Sequence, residues 1–123
     1  MGDFEKYMQY QLIEIARDCG EKNWDGMGAD PISAQTVREA RAVLQHLPAG
    51  IPAPDITPCP DGSIDLTWKH GENEFVFGMY GTGLGYYSGI FEGGEKVTGK
   101  VALAISLPDN LQVLILRAIG QAT

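Results

Sequence analysis

Two stretches of the chain set carboxylates beside glycines: residues 23–33, "NWDGMGADPIS", and residues 58–68, "PCPDGSIDLTW". In the first, Asp25 and Asp30 are candidate cation ligands, with Gly26 and Gly28 letting the backbone approach an ion. A calcium loop between two helices needs oxygen donors at alternate positions and a closing Glu at position twelve. Counted from Asn23, position five is Met27 and position twelve is Ala34, so the donors are missing where that geometry requires them. The same residues suit a rigid connector. Trp24 can bury its ring as an anchor, Gly26 and Gly28 can take positive φ to reverse the chain, and Asp30-Pro31 fixes an extended approach to a second helix. A loop held this firmly is also a place for partner contact.

In the second stretch Asp61 and Asp65 have the residue types of an acid/base pair. Asp61-Gly62, however, is a turn dipeptide ahead of a strand, and Asp65 falls on the outward set of that strand. Asp61, Gly62 and Trp68 are therefore expected to act as structural anchors, with Trp24, Gly26 and Gly28. "GTGLGYYSG", residues 81–89, resembles a phosphate cradle, but the dinucleotide fingerprint puts a third glycine where Tyr86 stands, and a helix where this chain is strand-like. Glycines there are better suited to a bulge or to a place beneath large rings. His46 and His70 have no nucleophile arranged beside them in sequence. Cys19 and Cys59 are too few for a zinc site and are taken as reduced thiols, with a single 19–59 bridge as the alternative. These patterns yield no catalytic residue, metal or cofactor. The alternative is a small ligand-binding or hydrolase domain using Asp25, Asp65 or His70.

Composition narrows the classes further. A formal charge of −7 opposes a duplex-binding surface, which needs a basic stripe to meet phosphates. A nucleic-acid mimic would cluster its carboxylates on one face, and here they are spread along the chain. With 44% hydrophobic and 20% charged residues the chain can build a core. The first residues, "MGDFEKYMQYQ", lack the apolar run of a signal peptide, and "VALAISL" is too short to span a bilayer. A soluble, cytoplasmic protein is expected.

Periodicity places these residues on elements. Phe4, Met8, Leu12, Ile15 and Cys19 recur every three or four positions, one face of a helix, with Glu5, Gln9, Arg17 and Asp18 opposite and Gly20 at its end. A second helix begins at the N-cap Ser33. It carries Val37, Ala40, Leu44 and Leu47 inward, turns Arg38, Glu39, Arg41 and Gln45 outward, and stops at Pro48. Five prolines between Pro48 and Pro60 exclude a central strand, leaving an extended crossover with room for an edge pairing at 55–57. From Asp61 the period becomes two: Ile64, Leu66 and Trp68, then Phe75, Phe77 and Met79, alternate with smaller or polar residues. "HGEN", "GTG" and "GGE" make short turns, so neighbouring strands should pair as a meander. "LQVLIL" suits helix or strand, and helix is preferred, capped by Ser106 or Asp109. The expectation is one α+β domain over 1–123: two N-terminal helices (1–48), the proline-rich crossover (48–60), a four-stranded antiparallel meander (61–105) and a short C-terminal helix (107–119).

Tyr80, Tyr86 and Tyr87 are the informative aromatics. Alternation assigns Tyr80 and Tyr87 to the minor faces of their strands. With Tyr86 and Asp65 they form the expected partner-binding set, because exposed tyrosines are common in protein interfaces. A homodimer contact on the second sheet face is the alternative.

The pattern Trp24-Asp25-Gly26-x-Gly28-Ala29-x-Pro31-Ile32, followed by Pro60-Asp61-Gly62-Ser63-Ile64-x-Leu66-x-Trp68, resembles a group of uncharacterised small bacterial and phage proteins with WDGxGAxPI and PDGSIxLxW motifs. Met27 stands where that group often has an aromatic, and Thr67 where it often has Glu. The resemblance implies a bacterial or mobile-element origin and carries over no catalytic residue. Together with the charge, it suggests a non-enzymatic acidic protein-binding module. Such a module would act as an inhibitor of, for example, a host defence complex that processes nucleic acid, or as an antitoxin.

Overall fold

A computed structural model describes residues 3–47, 50–103 and 109–120. The elements run α1 (Asp3–Asp18), α2 (Ala34–Gln45), β1 (Asp55–Pro58), β2 (Ile64–His70), β3 (Asn73–Met79), β4 (Leu84–Phe91), β5 (Glu95–Ala102) and α3 (Asp109–Ala118). The class is α+β, with an antiparallel sheet in the order β1-β2-β3-β4-β5. The sheet has five strands, not four. The crossover contributes β1, with Asp55 opposite Thr67 and Pro58 opposite Ile64. An edge strand pairs on one side only, which is why a proline-rich segment can supply it. The ambiguous "LQVLIL" run is helical. Pro48, Ser106 and the expected sheet end at 105 lie outside the described residues, as do the side chains of Phe4 and Asp109.

The helices pack on one face of the sheet. Met8, Leu12, Ile15 and Cys19 of α1 and its exit meet Val37, Ala40, Val43 and Leu44 of α2, Leu111, Ile115 and Ala118 of α3, and Ile64, Leu66, Trp68, Phe75, Phe77 and Met79 of the sheet in one continuous core. Trp68 keeps its buried indole N–H satisfied by donating to the Pro52 carbonyl at 2.9 Å, which ties the crossover to β2. Ser33 caps α2, its hydroxyl accepting from the Thr36 amide at 3.1 Å.

Glu39 departs from the outward set assigned to α2. It is buried, at 7% exposure, and its carboxylate accepts from the Gly81 amide at 3.0 Å and the Gly83 amide at 2.8 Å. The helical wheel turns Glu39 away from the apolar stripe, but the β3–β4 turn rises beside α2 and offers two amides with no strand partner. A carboxylate satisfies both with charge-assisted bonds. The fit is close: a side chain at Gly81 (φ +82) would strike Thr36 Oγ1 at 2.8 Å.

Candidate functional site

The loop of residues 23–33 consumes its own polar groups. Asp25 Oδ1 accepts from the amides of Met27 (2.8 Å) and Ala29 (3.1 Å), and Asn23 Oδ1 accepts from that of Gly28 (2.6 Å). Gly26 and Gly28 have φ of 77° and 88°. Trp24 packs against the core and donates from its indole to the Asp30 carbonyl at 2.7 Å. Asp30 pairs with Lys22 at 2.8 Å. No group of three or more potential metal ligands converges among the described residues.

This loop meets the turn of the second stretch. The Asp30 amide donates to the Pro60 carbonyl at 2.8 Å. Gly62 (φ +89) lies under the loop, where a side chain would come within 3.3 Å of the Pro31 carbonyl oxygen. Asp61 then closes the turn, Oδ1 accepting from the Ser63 amide (3.1 Å) and hydroxyl (2.7 Å), while Oδ2 accepts from Tyr80 Oη at 2.8 Å. Burial works to raise the Asp61 carboxyl, but the hydrogen bonds from Ser63 and Tyr80 outweigh it and hold it below its ordinary range. The same bond to Asp61 keeps the Tyr80 phenol above its own. Tyr80 in turn meets Tyr86 edge to face, ring centres 5.6 Å apart and planes at 88°.

Tyr87 requires a correction: it is not on the open face. It lies opposite Phe77 in β3 and Gly99 in β5, stacks on Phe75 at 6.0 Å and packs against the core. The helix-facing set of β4 is Gly85, Tyr87, Gly89 and Phe91, half of it glycine, so alternation of apolar residues does not reveal it. The open-face pair is Tyr80 and Tyr86.

One cross-strand row organises the open face: Thr57, Asp65, Gly78, Tyr86 and Lys100 stand opposite one another through all five strands. Gly78 leaves a dent of about 200 Å³, lined by Asp65, Val76, Tyr80, Tyr86, Tyr87 and Ser88. The Asp65 carboxylate leans across its floor, 2.7 Å from where a side chain at 78 would begin. Burial pushes the Asp65 carboxyl up, the neighbouring Cys59 thiol opposes this by hydrogen bonding, and the charge of Asp61 adds to it. Burial likewise pushes the Cys59 thiol up to about 11, which leaves it protonated and a poor nucleophile at neutral pH. Cys19 and Cys59 are both free.

The residues of the hydrolase alternative stand on three different parts of the fold. Asp25 is bound up in its loop, Asp65 is on the open face, and His70 ends β2 on the helix side, beside Gly120. Sequence reasoning missed Glu39, Gly78 and Cys59. Gly78 carried a signal: a glycine inside the ring-rich run "EFVFGMY" marks a close approach or a deliberate gap. No helix among the described residues is long and apolar enough to cross a membrane. Comparison of the chain with family models, curated proteins and solved structures finds no match.

Proposed function

We propose that the chain is a non-enzymatic, acidic protein-binding module that presents the open face of its sheet to a protein partner. One observation carries this reading: all three helices cover one side of the sheet, and the other side exposes large apolar side chains, Tyr80 (43%), Tyr86 (39%) and Ile90 (46%). Tyrosine supplies rigid contact area with a polar tip and is enriched where protein partners bind most strongly. Tyr80 is already held by Asp61, so little side-chain freedom is lost on binding. The charge of −7 favours a partner with a basic surface. Covering such a surface is how an inhibitor or antitoxin works, and the two free thiols suit a reducing cytoplasm.

The test is affinity capture from lysate of the producing cell, with native chain and Tyr86→Ala as baits. The expected outcome is a protein retained by the native bait and reduced at least tenfold on the variant. Equal recovery would remove the open face from the interaction. Sedimentation of the free chain separates out self-association: a dimer that Tyr86→Ala converts to monomer would make this face its own interface.

A further inference from the structure

We infer that the dent over Gly78 is a receptor for one arginine side chain of the protein partner, the guanidinium lying between the Asp65 carboxylate and the Tyr80–Tyr86 ring pair. This inference rests on the protein-binding reading and names the group that the open face recognises.

Size comes first. Pockets for drug-sized ligands and cofactors run from about 300 to 1,000 Å³, and the dent is about 200 Å³. It suits one side chain entering from above. Its floor is Gly78 with the Asp65 carboxylate leaning over it from β2, and Tyr86 stands beside it on β4.

Charge comes second. Among the described residues, no lysine or arginine forms an ion pair with Asp61 or Asp65; the ion pairs present join Arg17 to Glu14 and Asp18, Lys22 to Asp30, and Arg117 to Glu95. Asp65 is half-buried against Gly78 without a cation. A cation entering the dent would relieve that desolvated charge.

Shape decides between the two cations. A guanidinium is planar, binds a carboxylate through two parallel N–H groups and stacks on aromatic faces, whereas an ammonium is a compact, strongly hydrated point charge. A carboxylate on one wall and rings on the other fit the planar cation. The molecule makes a similar contact itself on the opposite face, where the Arg117 guanidinium lies 4.2 Å from the centre of the Phe91 ring and bonds Glu95.

The test is a two-dimensional amide NMR titration of the full chain with a capped Gly-Arg-Gly peptide, and with the same peptide carrying citrulline, which keeps the shape and removes the charge. Saturable shifts at Asp65, Gly78 and Tyr86 are expected with arginine, and binding at least tenfold weaker with citrulline. Asp65→Asn should weaken arginine binding by at least tenfold. Gly78→Ala, which displaces the Asp65 carboxylate, should do the same. Circular dichroism verifies that both variants are folded. Shifts spread over the other acidic residues, equal binding of the two peptides, or unchanged binding by folded Asp65→Asn would each overturn the inference. If a protein is captured through the open face while the peptides behave alike, the arginine receptor fails and the binding module stands. If the arginine peptide binds as expected and no protein is captured through that face, the receptor stands and the binding module fails.

Discussion

On the helix-covered face, Gly85 lies beneath the Phe77 ring, Gly89 beneath Phe91 and Gly99 beneath Tyr87. On the open face Gly78 lies beneath no ring, and the nearest atoms are those of the Asp65 carboxyl. Both sets of glycines hollow out the sheet. In the first, the protein fills the hollow with its own aromatics, and the gain is packing density. In the second, the Asp65 carboxylate leans over the glycine and the rest of the hollow stays open. A glycine in a strand weakens it by removing a packing side chain, so an unfilled one has to be explained by something other than the core.

Substitutions can break or sharpen that contrast. Gly85→Ala should be the most damaging, because its new methyl would enter the rigid, fully buried Phe77 ring; a loss of about 3 kcal/mol in urea unfolding is expected. Gly78→Ala meets only the end of a side chain that can swing away, and should cost less than about 1 kcal/mol. If the two cost the same, the contrast between the faces fails. Glu39→Ala comes next. It removes the charged partner of the part-buried hydrogen bonds from the Gly81 and Gly83 amides, and a loss of about 2 kcal/mol is expected, with Glu39→Gln recovering part of it. Ser33→Ala removes the cap of α2 and should lower stability by about 1 kcal/mol.

The smallest effect has the opposite sign. Burial holds the Asp65 carboxyl above its unfolded range, so its charged form disfavours folding at neutral pH. Asp65→Asn should therefore stabilise the free chain slightly at pH 7. Below the unfolded carboxyl pKa, about 3.9, the native residue is protonated in both states and the advantage should vanish. Unfolding of variant and native chain compared at pH 7 and pH 3 measures it. A variant less stable than the native chain at pH 7 would mean that Asp65 supports the fold.

The sequence made some of this legible and hid the rest for physical reasons. Ile64, Leu66 and Trp68 alternate cleanly because one face of β2 is buried and the other is not. The cap at Ser33 and the stripe of α2 are local, so spacing alone reveals them. Tyr86 and Tyr87 are adjacent, and a one-residue choice of register decides which of them faces out. That register depends on the β3–β4 turn held by Glu39, a contact forty-four residues apart that no local pattern encodes. β1 is legible only as an edge pairing, because Pro58 and the prolines flanking the strand lack the amides that a central strand would need. The dent depends on three strands meeting in register, and only its glycine is visible in the chain.

The contact between the two stretches has a consequence for inheritance. Gly62 sits against the Pro31 carbonyl and Asp30 donates to Pro60, so each stretch forms part of the other's mould. A change that swells one must be met by a change that thins the other. In any lineage descended from this chain, the two segments should drift in step although their contacting residues stand some thirty positions apart.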